Sequence, residues 1–188
     1  MATRRPHHVL LYGPPAAGKL TVATEFARAH DFRVLDNHVS VDVALRLFDF
    51  RHPKFRALAE KIWLTLASTA AESSVDVVST VVYMHPADQI RMETLKRVVT
   101  EHGGVFSTVR LQAPPQILES RVANTTRIGT NKITEPARLG RMLSTFDLDT
   151  PINEDDLTID TSRIAAEDAA RLVGRHLGIE PVERPDSH

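Results

Sequence analysis

Between a short apolar run and an amphipathic segment, the chain reads Gly13-Pro14-Pro15-Ala16-Ala17-Gly18-Lys19-Leu20-Thr21. Its two glycines enclose four residues and are followed by lysine, which is the spacing of a phosphate-binding loop. Such a loop requires a buried strand before it and a helix after it. The apolar run 8–12 predicts the strand, and the segment 19–30, whose apolar residues recur at helical spacing, predicts the helix.

The composition of this loop explains why it suits phosphate. Glycine at positions 13 and 18 allows backbone conformations that direct several N–H groups toward one point. The helix that follows adds the positive end of its dipole, and Lys19 adds an ammonium group for the terminal phosphates. All nine residues of the loop are therefore predicted to bind the phosphates of a nucleotide.

Leu20 departs from the usual pattern, in which a serine or threonine follows the lysine and its hydroxyl binds Mg²⁺. Leucine has no oxygen to offer, and Thr21 supplies a hydroxyl one residue later. Three explanations are open: the metal is held through water by another residue, Thr21 takes over the role, or catalysis is weak or absent. We favour the first, because Mg²⁺ normally keeps several of its waters.

Apolar strand-like runs alternate with helical patterns along the rest of the chain. The predicted strands are 8–12, 32–35, 75–83, 105–111 and 157–160. The predicted helices are 19–30, 39–50, 53–73, 87–101, 115–124, 136–146 and 164–177. This alternation predicts an α/β fold in which helices cover both faces of a parallel sheet. Ligands of such sheets bind beyond the carboxyl ends of the strands.

Length and charge limit the remaining possibilities. A chain of 188 residues with a formal net charge of -1 is predicted to form one domain over 1–180 and a polar tail over 181–188. The balanced charge argues against nucleic acid and membranes as partners, so we expect a cytoplasmic protein. An acidic run over 147–160 is expected to be a solvated approach to the last strand. No cysteine is present, and no metal site is expected among the nine histidines.

Together, the loop and the order of the elements resemble the small P-loop kinases, a group that includes shikimate kinase, gluconate kinase, chloramphenicol phosphotransferase and the adenylate kinases. The resemblance extends roughly over residues 9–177. It implies a three-layer P-loop NTPase fold with five parallel strands, the first of them in the middle. It also implies a helical substrate-binding segment over 37–74, a lid over 125–136, ATP and Mg²⁺ as cofactors, and a monomer or homodimer.

The resemblance assigns a role to the end of the second strand. Asp36 stands where shikimate kinase and chloramphenicol phosphotransferase hold the acceptor hydroxyl, so it is predicted to accept or orient the acceptor's proton. The alternative is that Asp36 or Asn37 caps the next helix, since both residue types are good caps. We assign the cap to Asn37 and leave His38 as either a substrate contact or a cap.

Further candidates lie near the third strand. Thr80 and Tyr83 belong to the turn that touches substrate in shikimate-kinase-like proteins, and Thr80 or Ser79 could hold a metal-bound water. Arg51 lies between two predicted helices and is either part of a recognition patch or solvated. Arg91 resembles an arginine of gluconate kinase that contacts substrate, or else belongs to a surface ion pair. Trp63, beside the apolar stripe of the predicted helix 53–73, is expected to pack rather than to stack on a ligand.

The predicted lid region is basic. Residues 119–141 contain five basic and two acidic side chains, and arginine suits phosphate because its planar fork matches phosphate oxygens. By resemblance, Arg121 stacks on adenine, Arg127 reaches the γ-phosphate, and Lys132 contacts the substrate. Arg163 follows an Ile-Asp-Thr-Ser stretch that in small P-loop kinases precedes a loop behind the adenine. Ser162 is a predicted cap of the last helix.

These assignments predict an ATP-dependent kinase that moves the γ-phosphoryl group to a hydroxyl of a small molecule, a metabolite or an antibiotic. A nucleotide or nucleoside acceptor is the alternative, less favoured because the sequence offers no obvious arginine pair for an acceptor phosphate. A non-catalytic nucleotide-binding switch or an NTP hydrolase is a further alternative. Leu20 and the lack of an aspartate at the end of the third strand favour the switch.

Overall fold

A computed structural model of the protein describes residues 4–123 and 135–182. The strands are β1 (His7–Tyr12), β2 (Arg33–Asp36), β3 (Val77–Val81), β4 (Val105–Gln112) and β5 (Leu157–Asp160). They form one sheet in the order β2-β3-β1-β4-β5, and every neighbouring pair is parallel. The prediction of five parallel strands with the first in the middle is confirmed.

Within the described residues, seven helices surround this sheet. They are α1 (Lys19–His30), α2 (Asn37–Ala44), α3 (Phe55–Glu72), α4 (Gln89–Glu101), α5 (Pro115–Val122), α6 (Pro136–Thr145) and α7 (Ala166–Leu177). Most predicted boundaries shift by only a residue or two, but the helix predicted over 39–50 is α2 and ends early, at Ala44. Within the described ranges, no helix is both long and apolar enough to cross a lipid bilayer.

Two predicted helix caps are wrong. α2 is capped by Asp36 and not by Asn37, because Asp36 Oδ1 accepts a hydrogen bond from the backbone N–H of His38 at 3.3 Å. α7 begins several residues after Ser162, whose hydroxyl instead donates to Asp160 at 2.6 Å. Asp36 therefore has a structural role at the start of α2 in addition to the chemical role predicted for it.

β1 is buried on both faces. Val9 and Leu11 pack into the layer that includes α1, α5 and α7, whereas Leu10 and Tyr12 pack into the layer that includes α3 and α4. All four side chains are at most 1% exposed. This double burial explains the continuous apolar run. Because β1 is the middle strand of the sheet, its end lies in the middle of the sheet's carboxyl edge.

A polar network ties the end of β1 to the segment before β5. The Tyr12 hydroxyl donates to Asp156 Oδ2 at 2.8 Å and accepts from the Ile152 N–H at 3.0 Å. Thr108 on β4 donates to the other Asp156 oxygen at 2.5 Å. Burial and the hydrogen bond to Asp156 raise the pKa of Tyr12, so the phenol keeps its proton. The prediction of a solvated acidic run is therefore wrong for Asp156.

The turn after β1 passes so close to β4 that only glycine fits. A Cβ on residue 13 would lie 1.9 Å from the carbonyl oxygen of Leu111, and the φ angle of Gly13 is +140°. We therefore expect Gly13→Ala to lower the free energy of unfolding by about 3 kcal/mol or more, through a steric clash combined with backbone strain. Urea denaturation monitored by circular dichroism measures this change.

Gly140→Ala is the matched control, because no atom of residues 4–123 and 135–182 lies within 4 Å of a Cβ built on this helical glycine. It should leave stability unchanged or raise it by up to ~1 kcal/mol, since alanine is the better helix former. Equal stability of Gly13→Ala and the unsubstituted protein would contradict the close approach of Gly13 to β4.

His8 makes the stability of the sheet dependent on pH. Its side chain on β1 is 3% exposed and its Nε2 lies 2.7 Å from Ser79 Oγ. Burial lowers the pKa of His8 from 6.5 to about 4, whereas the unfolded chain takes up the proton near 6.5. The neutral side chain therefore contributes its full stability above pH 6.5, and this contribution is lost as the pH falls toward 4.

Replacing His8 by glutamine should remove this pH dependence. The shift corresponds to roughly 3 kcal/mol between pH 7 and pH 4, so the unfolding free energy of His8→Gln should fall less over that interval. Urea midpoints measured across the interval provide the comparison, with the exposed His176→Gln as control. If both variants keep the slope of the unsubstituted protein, His8 is not the titrating group.

Candidate active site

The predicted phosphate loop joins β1 to α1 and has the required backbone geometry. Gly13, Ala16 and Gly18 all have positive φ angles, of 140°, 65° and 81°. Gly18 is the N-cap of α1 and makes no side-chain capping hydrogen bond. The first amides of α1 therefore lack a side-chain cap there and face the loop, which is the arrangement that binds anions at helix N-termini.

Lys19, the first residue of α1, lies over this loop. Its Nζ donates to the carbonyl oxygens of Gly13 at 2.9 Å and of Pro14 at 2.7 Å. The ammonium is thus held beside the loop amides, where it can add positive charge to the same point. Leu20 and Thr21 both line the adjoining cavity, so the leucine side chain occupies the place where a metal-binding hydroxyl is usual.

Arg121 and Thr161 brace the loop from the β5 side. The guanidinium of Arg121 donates to Thr161 Oγ1 at 2.9 Å, to the Thr161 carbonyl at 2.8 Å and to the Ala16 carbonyl at 3.4 Å. The Thr161 hydroxyl lies 3.0 Å from the Ala17 carbonyl. Arg121 therefore lies beside the phosphate loop. Its predicted contact with the adenine stays a prediction. The role of Thr161 was missed, because the Ile-Asp-Thr-Ser stretch that contains it indicated a loop behind the adenine and gave no sign of contacts with Arg121 or the Ala17 carbonyl.

A cavity of about 1130 Å³ extends from this loop along the carboxyl edge of the sheet. The phosphate loop, Arg121 and Thr161 form its nucleotide end. The opposite end, here called the acceptor end, is built from residues of α2, α3 and α4: Asn37, His38, Arg56, Glu60, Asp88 and Arg91. The volume exceeds that of a typical single-ligand pocket, so it can hold a nucleotide and a second small molecule.

Asp36 lines the same cavity, at the last position of β2. It stands opposite Thr80 in the parallel register of β2 and β3. The Thr80 hydroxyl donates to Asp36 Oδ1 at 2.8 Å, and the same oxygen caps α2. These two bonds orient the carboxylate. Ser79 is excluded from the metal-holding role considered for it, because it is fully buried and bound to His8.

At the acceptor end, the side chain of Arg91 is held by several contacts. Its Nη2 donates to Asn37 Oδ1 at 2.8 Å, and its guanidinium lies 4.4 Å from the ring centroid of Trp63. Asp88 is 5% exposed, and its Oδ1 is 3.9 Å from Arg91 Nη1. The alternative that Arg91 belongs to an ion pair on the surface is therefore wrong, because the side chains of Arg91 and Asp88 are both mostly buried. Trp63 is buried and packs, as predicted.

Among the described residues, three predicted site residues beyond the phosphate loop lie outside the cavity lining. Tyr83 is 3% exposed, packs edge-on against Tyr12 and has its hydroxyl 3.1 Å from His85 Nδ1. Arg163 has a side chain that is 86% exposed and pairs with Asp160. Arg51 is exposed in the turn before α3. The turn after β3 directs Tyr83 into the core rather than toward the cavity, and the exposed Arg51 matches the solvated alternative. The structure therefore does not bring these three side chains to the cavity.

The predicted lid lies largely outside the described residues. Arg127 and Lys132 belong to the part of the chain for which the structure gives no description, so their predicted roles stay predictions. Within 4–123 and 135–182, no group of three or more histidine, aspartate or glutamate side chains is arranged to hold a metal ion. Oxygen atoms for a hydrated cation are present in the cavity lining, on Thr21, Asp36 and Thr80.

No protein-family model matches the chain, and no curated protein matches it. Several solved structures match its fold over nearly the whole length. A protein from Chloroflexus aurantiacus provisionally named as a kinase has a TM-score of 0.70 and 22% identity, covering 94% of this chain and 98% of its own. The tunicamycin resistance protein of Deinococcus radiodurans has a TM-score of 0.63 and 17% identity, covering 96% and 100%.

Shikimate kinase from Acinetobacter baumannii, solved with shikimate, matches with a TM-score of 0.62 and 20% identity, covering 93% of this chain and 94% of its own. At these identities the likeness establishes the fold alone. The fold is the one that the small P-loop kinases share, and the resemblance expected from the phosphate loop is confirmed at that level.

Proposed function

We propose that this chain, with its small P-loop kinase fold, is an ATP-dependent phosphotransferase that phosphorylates a hydroxyl of a small molecule. One observation carries the proposal: the oriented carboxylate of Asp36 lines the same cavity as the phosphate loop and Lys19. A carboxylate held beside a phosphate site is the group that a hydroxyl acceptor needs. The acceptor end of the cavity supplies room for that second molecule.

In this reaction the acceptor oxygen forms a bond to the γ-phosphorus of ATP while the bond to the β,γ-bridging oxygen breaks. ADP leaves with the electron pair of that bond, and the hydroxyl proton passes to Asp36. Thr80 keeps the Asp36 carboxylate in one orientation through its hydrogen bond. Lys19 and the amides of the loop stabilise negative charge on the phosphates, so positioning and charge supply most of the catalysis.

The nucleotide fits the loop, because no side chain caps the start of α1 at Gly18 and Lys19 Nζ is held beside the loop. Mg²⁺, when bound, neutralises charge between the β- and γ-phosphates. We propose that Thr21 and Thr80 hold its water ligands, because Leu20 cannot bind the metal directly. Arg127 and Lys132 are proposed to close over the phosphates and the acceptor. We place the protein in the cytoplasm, where ATP is available.

The Asp36→Asn substitution tests the catalytic assignment. It should lower acceptor-dependent ADP formation by at least roughly 100-fold, because asparagine cannot take up the proton, while nucleotide affinity stays unchanged. Lys19→Ala should instead weaken nucleotide binding. ADP release against pooled sugar acids, polyols, nucleosides, nucleoside monophosphates and hydroxylated antibiotics measures activity, and calorimetry measures binding. The exposed Asp155→Asn serves as control. Full activity of Asp36→Asn would remove Asp36 from the mechanism.

A nucleotide-binding switch is the second candidate, and Leu20 is the observation that favours it. ATP binding without ADP release against any acceptor pool would support the switch.

Under the kinase proposal, Leu20 only weakens metal binding. Leu20→Ser should then tighten the binding of Mn²⁺ to the protein–nucleotide complex, as followed by electron paramagnetic resonance, because serine adds a direct ligand. Leu20→Ala is the control, and equal tightening in both variants would mean that bulk, not the missing oxygen, is the limitation.

A further inference from the structure

Ala16 has an unusual backbone conformation for an alanine, because its φ angle is +65°. The Cβ atom makes this left-handed conformation less favourable than the right-handed one, by roughly tenfold or more. Asp31 and Ser74, which also have positive φ angles, directly follow the ends of helices, where left-handed residues are common. Ala16 instead lies before a helix, within the phosphate loop. Contacts with neighbouring segments therefore have to hold its conformation.

Thr161, the residue directly after β5, supplies such a contact through its hydroxyl group. The hydroxyl oxygen lies 3.0 Å from the Ala17 carbonyl oxygen and 3.2 Å from that of Gln112. The same oxygen accepts a hydrogen bond from Arg121 Nη1 at 2.9 Å. Because the guanidinium occupies a lone pair of the oxygen, the hydroxyl proton is directed toward the two carbonyls. Thr161 is 8% exposed, so water competes little for these bonds.

The bond to the Ala17 carbonyl also sets the direction of the next amide in the loop. The carbonyl and the N–H of a trans peptide point in opposite directions. Because the Ala17 carbonyl points toward Thr161, the N–H of Gly18 points away from Thr161. One residue earlier, the Ala17 N–H donates to the Pro14 carbonyl within the loop at 3.3 Å. The hydroxyl of Thr161 therefore fixes the orientation of the peptide that leads into α1.

Thr161 is itself held in place from both sides along the chain. Its backbone N–H donates to the Gln112 carbonyl at 2.9 Å, which extends the pairing of β4 and β5 by one residue. On either side of it, Asp160 Oδ1 accepts the Ser162 N–H at 2.9 Å and the Ser162 hydroxyl at 2.6 Å. These bonds to Ser162 lower the pKa of Asp160, so the carboxylate stays charged. A rigid turn at the sheet edge thus presents the Thr161 hydroxyl to the loop.

We infer that Thr161 is a positioning residue for the nucleotide. Its hydroxyl keeps Ala16 in the left-handed conformation and turns the Gly18 amide toward the phosphates, so that the loop is formed before a nucleotide arrives. Binding to a loop formed in advance costs less ordering, and Thr161 therefore raises nucleotide affinity by acting through the loop. This inference rests on the nucleotide binding in the proposed function and is independent of phosphoryl transfer to an acceptor.

Thr161→Val removes the hydroxyl and keeps a side chain of similar shape. We expect it to weaken the binding of Mg·ADP, measured by calorimetry, roughly tenfold, because Ala16 then leaves the left-handed conformation in the free protein. Thr161→Ser keeps a hydroxyl and should restore most of the affinity, and Thr161→Ala replaces the valine variant if that one folds poorly. Thr158→Val is the matched control, since Thr158 is an exposed threonine on β5. Unchanged affinity in Thr161→Val would overturn the inference.

Ala16→Gly distinguishes positioning through the loop from direct contact with the nucleotide. Glycine adopts positive φ angles without a steric penalty, so a loop that carries it needs less support from Thr161. In the Ala16→Gly background, Thr161→Val should weaken Mg·ADP binding by less than roughly threefold, against roughly tenfold in the unsubstituted loop. The same factor in both backgrounds would overturn the inference, because Thr161 would then act by direct contact or through overall stability.

A measurement on the nucleotide-free protein tests the role of Thr161 separately from the proposed function, against which a failure to bind Mg·ADP would count. The NMR chemical shifts of Ala16 Cα and Cβ report its backbone conformation. In the unsubstituted protein and in Thr161→Ser they should be those of a left-handed residue, whereas in Thr161→Val they should move toward right-handed or extended values. Left-handed shifts in Thr161→Val, or their absence from the unsubstituted protein, would overturn the inference.

Discussion

The close approach of the turn at Gly13 to the backbone of β4 is the constraint on which the rest of the molecule depends. Because the carbonyl of Leu111 occupies the space where a side chain would be, the chain can leave the buried central strand and curve directly into α1. This path places the start of α1 and Lys19 at the middle of the sheet's carboxyl edge. Every other functional group is arranged around that point.

Two sets of polar contacts keep the turn in place, one on each side of the sheet. Tyr12, the last residue of β1, is bound through Asp156 to the segment before β5. Arg121 and Thr161 contact the loop carbonyls directly. A loop that must present its amides to phosphate cannot use those amides to stabilise itself. Its rigidity therefore has to come from neighbouring side chains.

The positive charge at the acceptor end has a different physical origin from the positive charge at the nucleotide end. At the loop, positive charge comes largely from backbone dipoles and one lysine, which suits any nucleotide. At the far end it comes from a guanidinium oriented by Asn37 and Trp63 and only partly neutralised by Asp88. A buried, under-compensated charge discriminates among ligands because each ligand either pairs with it or leaves it unpaired. In the proposed kinase, specificity for the acceptor is therefore expected to reside on the segments that include α2, α3 and the start of α4.

The phosphate loop, the parallel sheet and the position of Asp36 after the second strand could be predicted from the sequence, because each depends on residues that are neighbours in the chain. The periodicity of apolar residues and the spacing of Gly13, Gly18 and Lys19 carry that information locally. The cap of α2, the inward turn of Tyr83 and the hydrogen bond of Arg91 to Asn37 could not be predicted, because they depend on where separate elements meet. The phosphate loop was thus determined by the sequence alone, whereas the acceptor end was decided only by the packing of helices that are distant along the chain.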